Sequence, residues 1–285
     1  MIPGWLKNLD RRWIFLLMFL AVSLPQLFGV SFPERPSRKV LDVFDAIDGL
    51  AEGSRVLMAF DFDPASEGEL SPMASAFTRH CCEKKLKLYF MTLWERGPPM
   101  VQKALDIIAS EHPSMTYGTD FVNLGFKPGL EGVIRNAFSN LHVDFKTDQA
   151  GNSLHDIALT RELKSLREMD LLICIGSGSP GPKEWVQYGA APNAMRMVAG
   201  VTGVQAPQLL PYVPRQLVGL LAAIKSAAEY EQALIDRYPQ LARVDQAKEG
   251  LRRMGPQLVA HVLMVLLIVS GNLVYFLGGQ SGDAP

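Results

Sequence analysis

The sequence predicts an α/β fold: a mostly parallel, Rossmann-like or flavodoxin-like sheet flanked by helices, with N-terminal and C-terminal transmembrane helices. Three observations carry this. Short apolar runs alternate with segments of helical periodicity between residues 55 and 201. The runs are continuous rather than alternating in polarity, as in strands covered on both faces. Two charge-free stretches, one near each end, are long enough to cross ~30 Å of hydrocarbon as helices.

Residues 1–12 read as a tail and 13–33 as the first transmembrane helix, WIFLLMFLAVSLPQLFGVSFP, which Pro25 would kink. Lys7, Arg11 and Arg12 precede it as in a signal peptide, but the run is long and no small-x-small cleavage site follows, so the segment is read as retained. An amphipathic helix is expected over Pro36–Leu50, with Val40, Leu41, Phe44 and Ile47 on one face. Strands follow at Arg55–Asp61, Leu86–Leu93, Thr119–Leu124, Asp170–Ile175 and Met195–Val201. Helices are expected at Glu69–Lys84, Pro98–Glu111, Gly129–Phe138, Ser153–Glu168 and Pro182–Tyr188. Ser139–Asp156 is the longest segment without a regular pattern and reads as a solvated excursion. A long helix rich in small residues then spans Pro214–Arg237.

The α/β domain is bounded at 34–239, a helical connector at 240–256 and the second transmembrane helix at 257–278, leaving a tail at 279–285. Gly255 and Pro256 are expected to break the helix entering the bilayer. Within the second span His261 and Asn272 are the strongly polar side chains, read as facing a partner helix or an interface. Arg35, Arg38, Lys39, Lys248, Arg252 and Arg253 flank the spans on the domain side, which argues for a cytoplasmic α/β domain in a multi-pass protein of the bacterial inner membrane.

Composition limits the functions. Twenty-eight Lys and Arg against 29 Asp and Glu give a net charge of −1, so no basic face and no nucleic-acid partner are expected. The lipid bilayer is the expected partner, with membrane proteins or further copies of the chain as lateral ones. Three cysteines build no disulfide framework and fit a reducing compartment. Each reads as structural.

Ligands of open α/β sheets bind at the carboxyl ends of strands. After the fourth strand, Gly176, Ser177, Gly178, Ser179 and Gly181 match G-x-G-x-x-G, whose glycines let backbone approach a pyrophosphate. No acid ends the next strand to hold a ribose, and Pro180 and Pro182 remove two donors, so a less specific anion site is the stronger reading. Pro180 also lacks the N–H that an oxyanion hole would need if Ser179 were a nucleophile. Lys127, after the third strand, is a further anion candidate. His142, Asp144 and His155, like His80-Cys81-Cys82, lack metal-ligand spacing. No metal site is expected, and the cofactor is left unassigned.

Asp61 and Asp63, one residue apart after a hydrophobic strand, resemble the first motif of the haloacid-dehalogenase-like phosphatases, and Thr92 resembles their second. That resemblance implies Asp61 as nucleophile and Asp63 as acid or base. The segment after Ile175 departs from it, having no acid pair to complete a magnesium site. FDFDPASEGELSPMASAF (60–77), FVNLGFKPGLEG (121–132) and QLVGLLAAIKSAAEYE (216–231) together resemble a group of uncharacterised bacterial membrane-anchored proteins with a Rossmann-like domain. That likeness implies architecture and location, and no activity. The functional expectation is therefore a two-span membrane protein whose α/β domain is a binding or assembly module. The alternative is a phosphatase-like enzyme acting on a phosphorylated or nucleotide ligand at the strand ends.

Overall fold

The computed structural model describes residues 10–278 and divides into two compact units, Glu34–Gly250 and the chain on either side of it. Helix α1 runs from Arg11 to Leu27, with the Asp10 carboxylate accepting from the Arg12 N–H at its start. It ends in a Schellman motif. Gly29 takes φ +60°, and the N–H groups of Gly29 and Val30 return to the carbonyls of Gln26 and Pro25. The helix has 17 residues, which at about 1.5 Å per residue makes roughly 25 Å. It thus stops six residues before the end of the expected first span. Residues 1–9 of the expected tail, and all of 279–285, lie outside the described residues.

The α/β unit contains α2 (Arg38–Asp48), β1 (Arg55–Asp61), α3 (Glu67–Glu83), β2 (Lys87–Thr92), α4 (Pro98–Glu111), β3 (Phe121–Phe126), α5 (Leu130–Ser139) and β4 (Leu171–Gly176). It continues with α6 (Pro182–Glu184), which runs into a π turn at Trp185–Ala190, then β5 (Met197–Val201), α7 (Ala206–Leu209), β6 (Gly219–Ala222) and α8 (Ala223–Arg237). All strands are parallel, in the order β3-β2-β1-β4-β5-β6. That is the Rossmann order, not the flavodoxin-like one. Side chains two apart share a face. Val56, Met58 and Phe60 of β1 pack into one apolar layer with α2, α3 and α8, while Leu57 and Ala59 join the other with α5 and Trp185. Both faces are covered, which is why the strands read as unbroken apolar runs.

Three expectations are corrected. The helix expected at Pro214–Arg237 begins only at Ala223, and Gly219–Ala222 is the sixth strand. Its glycine is there because α2 packs onto it: a Cβ on Gly219 would lie 2.5 Å from Val43 Cγ2. Ser153–Glu168 is not a helix. Leu154 and Ile157, and again Leu163 and Leu166, are buried three positions apart, but the two pairs fall on different sides of any one helix. The Thr160 hydroxyl donates to the Leu154 carbonyl and the Glu168 carboxylate takes the Lys164 N–H. Such local side-chain bonds compete with the helical ladder. Finally, α9 (Glu249–Gly278) is continuous through Gly255 and Pro256. Gly255 serves close packing: a Cβ there would lie 2.0 Å from the Val30 carbonyl oxygen.

Residues 239–248 form two short 3₁₀ turns, with Leu241 and Ala247 in the core of the α/β unit. Among the described residues one helical stretch, Asp245–Phe276, is long and apolar enough to cross a membrane. In the flanking unit, Leu17, Ala21 and Phe32 meet Leu258, Val262 and Leu266 around an apolar groove of about 380 Å³.

Candidate functional site

The strand order reverses between β1 and β4, so their carboxyl ends open the crevice where ligands of this topology bind. Asp61 ends β1 opposite Gly176 of β4. Its side chain is fully buried. One carboxylate oxygen accepts from the Leu93 N–H at 2.7 Å, the other from the Trp185 indole N–H at 2.6 Å, and the Cys174 thiol donates to it at 3.7 Å. Burial pushes the carboxyl up to about 7, against the pull of these donors, and Glu184 nearby adds to the rise. Asp61 therefore has no open oxygen with which to attack a phosphorus atom.

The other residues of the phosphatase-like pattern are also engaged. Asp63 caps the 3₁₀ turn Pro64–Ser66 by accepting from the Ala65 N–H at 3.1 Å. Thr92 is fully buried, and its hydroxyl accepts from the Trp94 N–H at 3.0 Å. Gly97 packs so tightly on it that a Cβ would lie 2.0 Å from Thr92 Oγ1.

The glycine loop is likewise filled from within. A Cβ on Gly178 would meet the Trp94 ring at 2.8 Å, and one on Gly181 would meet the Gly178 carbonyl at 2.4 Å. The Trp94 indole donates to the Pro180 carbonyl at 2.6 Å. Ser177 N–H is spent on the Asp61 carbonyl. Glu184 takes the Gly181 N–H at 2.9 Å and the Ser179 hydroxyl at 3.0 Å. A carboxylate thus sits where a phosphate would need loop donors, and like charge disfavours an anion there. The G-x-G-x-x-G glycines serve the chain's own packing. Replacing Gly178 by alanine is expected to destabilise the unit by about 1–3 kcal/mol through overpacking against Trp94. Chemical denaturation together with a shift in tryptophan fluorescence checks this.

Lys127 lies apart from this loop, at the end of β3. Its N–H donates to the Thr92 carbonyl, its ammonium stands 5.2 Å from the Phe145 ring centre, and burial pulls its pKa down. His142 and His155 are brought together, their rings stacked at 4.6 Å. Among the described residues no group of three His, Cys, Asp or Glu is placed to hold a metal ion.

Two shallow clefts remain beside the loop. One, of about 370 Å³, is lined by Asp63, Leu93, Trp94, Glu95, Arg96, Ser179 and Pro180. The other, of about 300 Å³, lies between the ends of β4 and β5 and includes Lys183, Glu184, Gln205 and Gln208. Sequence reasoning missed Trp94, Trp185 and Glu184, the three side chains that fill the crevice. The one signal among them was Trp94, which stands directly beyond the expected strand end at Leu93.

No family model matches the chain, and no curated protein matches it. Among solved structures it is similar to AibC, at 12% identity and a TM-score of 0.31, over 79% of this chain and 49% of that one. It is similar to the trehalose-6-phosphate synthase OtsA at 12% identity and a TM-score of 0.32, over 84% and 47% of the two chains. An alpha,alpha-trehalose 6-phosphate synthase from Burkholderia multivorans gives 13% and 0.28, over 93% and 50%. The chain spans about half the length of each. At these scores the likenesses bear on neither its site nor its chemistry.

Proposed function

We propose that this chain is a two-span integral membrane protein of the bacterial inner membrane whose cytoplasmic α/β unit is a binding or assembly module. The observation that carries this reading is the self-filled switch-point crevice. Asp61 has both oxygens on the chain's own donors, and Glu184 occupies the glycine-loop N–H that an anion would use. The helical stretch Asp245–Phe276 supports anchorage, and the exposed apolar side chains of α1, Trp13, Phe15 and Phe19 among them, support a second span. The resemblance to membrane-anchored proteins with a Rossmann-like domain fits the same reading.

The test is thermal unfolding of the full chain in detergent, with and without magnesium, nucleotides and phosphosugars. No saturable shift is expected. A saturable shift that Arg96→Ala or Asp63→Asn removes would replace this reading with a ligand-processing enzyme at the 370 Å³ cleft.

A further inference from the structure

The polar residues of α9 stand on one line. His261 and Asn272 are eleven positions apart, about three helical turns, so their side chains come within about 20° of each other around the axis. Val265 and Ile268 lie between them on the same exposed face. Beyond Met254, the half-buried residues of α9, Val259, Ala260, Leu263, Leu267 and Val274, mark the opposite side. Neither His261 nor Asn272 has a hydrogen-bond partner among the described residues. In a bilayer this would leave an imidazole and an amide facing hydrocarbon, which costs free energy unless each is bonded. Asn272 sits five residues, roughly 7 Å, short of Leu277, and its single methylene is too short to carry the amide to the interface.

We propose that this face of α9 packs against the same face of a second copy of the chain, forming a parallel homodimer in the membrane. The inference rests on the membrane-spanning reading above. Three features select a second copy as the occupant. Two copies inserted with the same topology are necessarily parallel, so His261 meets His261 and Asn272 meets Asn272 at matching depths. An amide carries both donors and an acceptor, and two of them satisfy each other reciprocally across a two-fold axis. A neutral imidazole likewise has one donor and one acceptor nitrogen, so the second polar group is self-complementary as well. Val265 and Ile268 supply the apolar contact between the two polar pairs.

The test is disulfide crosslinking of the full chain in native membranes, comparing Ile268→Cys on the proposed face with Leu266→Cys on the groove side. The native thiols are buried and give little background. Ile268→Cys is expected to give a band of twice the monomer mass, and Leu266→Cys to remain monomeric. Asn272→Ala in the Ile268→Cys chain is expected to lower the crosslinked fraction at least tenfold, with Asn272→Gln restoring most of it. Ile268→Cys that stays monomeric, crosslinks to a protein of another mass, or crosslinks no better than Leu266→Cys overturns the dimer. Carbonate extraction of the same membranes separates the two claims. A chain that resists extraction but fails to crosslink contradicts the dimer alone, and one released by carbonate contradicts the membrane reading and the dimer with it.

Discussion

Asp61→Ala is expected to lower the stability of the α/β unit by about 3–5 kcal/mol at pH 5, measured by chemical denaturation. The substitution strands two buried donors, the Leu93 N–H and the Trp185 indole, each worth about 1–3 kcal/mol unpaired, and it opens a small cavity in an otherwise filled crevice. The effect also has a pH signature. The carboxyl titrates near 3.8 when unfolded and at about 7 when folded, so the native state holds the proton more tightly. That contribution is fully present below pH 3.8 and is lost as pH rises through 7. At about 1.4 kcal/mol per pH unit, roughly 3 units amount to about 4 kcal/mol. The gap between wild type and Asp61→Ala therefore narrows by about 3 kcal/mol between pH 5 and pH 8. An exposed catalytic aspartate would show neither the large stability loss nor the narrowing.

The second large effect comes from His80, where α2, α3 and α8 meet. The ring is fully buried and stacks on Phe44 at 4.4 Å. Nδ1 stands 2.6 Å from the Tyr230 hydroxyl, and Nε2 stands 3.5 Å from the Asp48 carboxylate, which also accepts from Tyr238. Burial pulls the imidazole down to about 4, overcoming the upward pull of Asp48. The neutral ring fits the geometry, with Nδ1 accepting from Tyr230 and the Nε2–H turned to Asp48. Unfolded, the ring titrates near 6.5, so the unfolded state binds more protons between pH 6.5 and 4, and stability falls over that window by about 3 kcal/mol on acidification.

The Asp61 and His80 contributions run in opposite directions between pH 4 and 6.5. The wild-type profile is expected to be nearly flat there, and each variant uncovers the other group. Asp61→Ala loses stability on acidification through the remaining histidine, whereas His80→Gln loses it as pH rises through the remaining carboxyl. A wild-type profile that climbs steeply between pH 4 and 6.5 would show that Asp61 does not hold its proton as described.

Much of the fold was legible in the sequence. Arg55–Asp61 and Pro98–Glu111 have the expected limits because apolar period and helix-starting prolines agree there. Strand β6 was not legible: four residues with a glycine and an alanine at their ends carry too little periodicity, and their strand character comes from pairing with β5 and from α2 lying on Gly219. The site was legible only as a location. Asp61, Thr92 and the Gly176–Gly181 loop do line one crevice, but what they do there is decided by partners far along the chain. Leu93 lies 32 positions from Asp61 and Trp185 lies 124. Local pattern suggested a nucleophile and a phosphate cradle, and tertiary contacts closed both.

Cys82 is buried with Cys81 and Cys174, and burial holds all three thiols well above their ordinary range. They are therefore silent in topology mapping, and engineered cysteines report without interference. The most direct test of the account places single cysteines at Asp10, at the exposed Ala109 of α4 and at Ser281, then treats intact bacteria with an impermeant thiol reagent. Two spans with an inward-facing α/β unit predict labelling of Asp10→Cys and Ser281→Cys in intact cells, and of Ala109→Cys only after lysis. Labelling of Ala109→Cys in intact cells, or protection of either terminal cysteine until lysis, would contradict it.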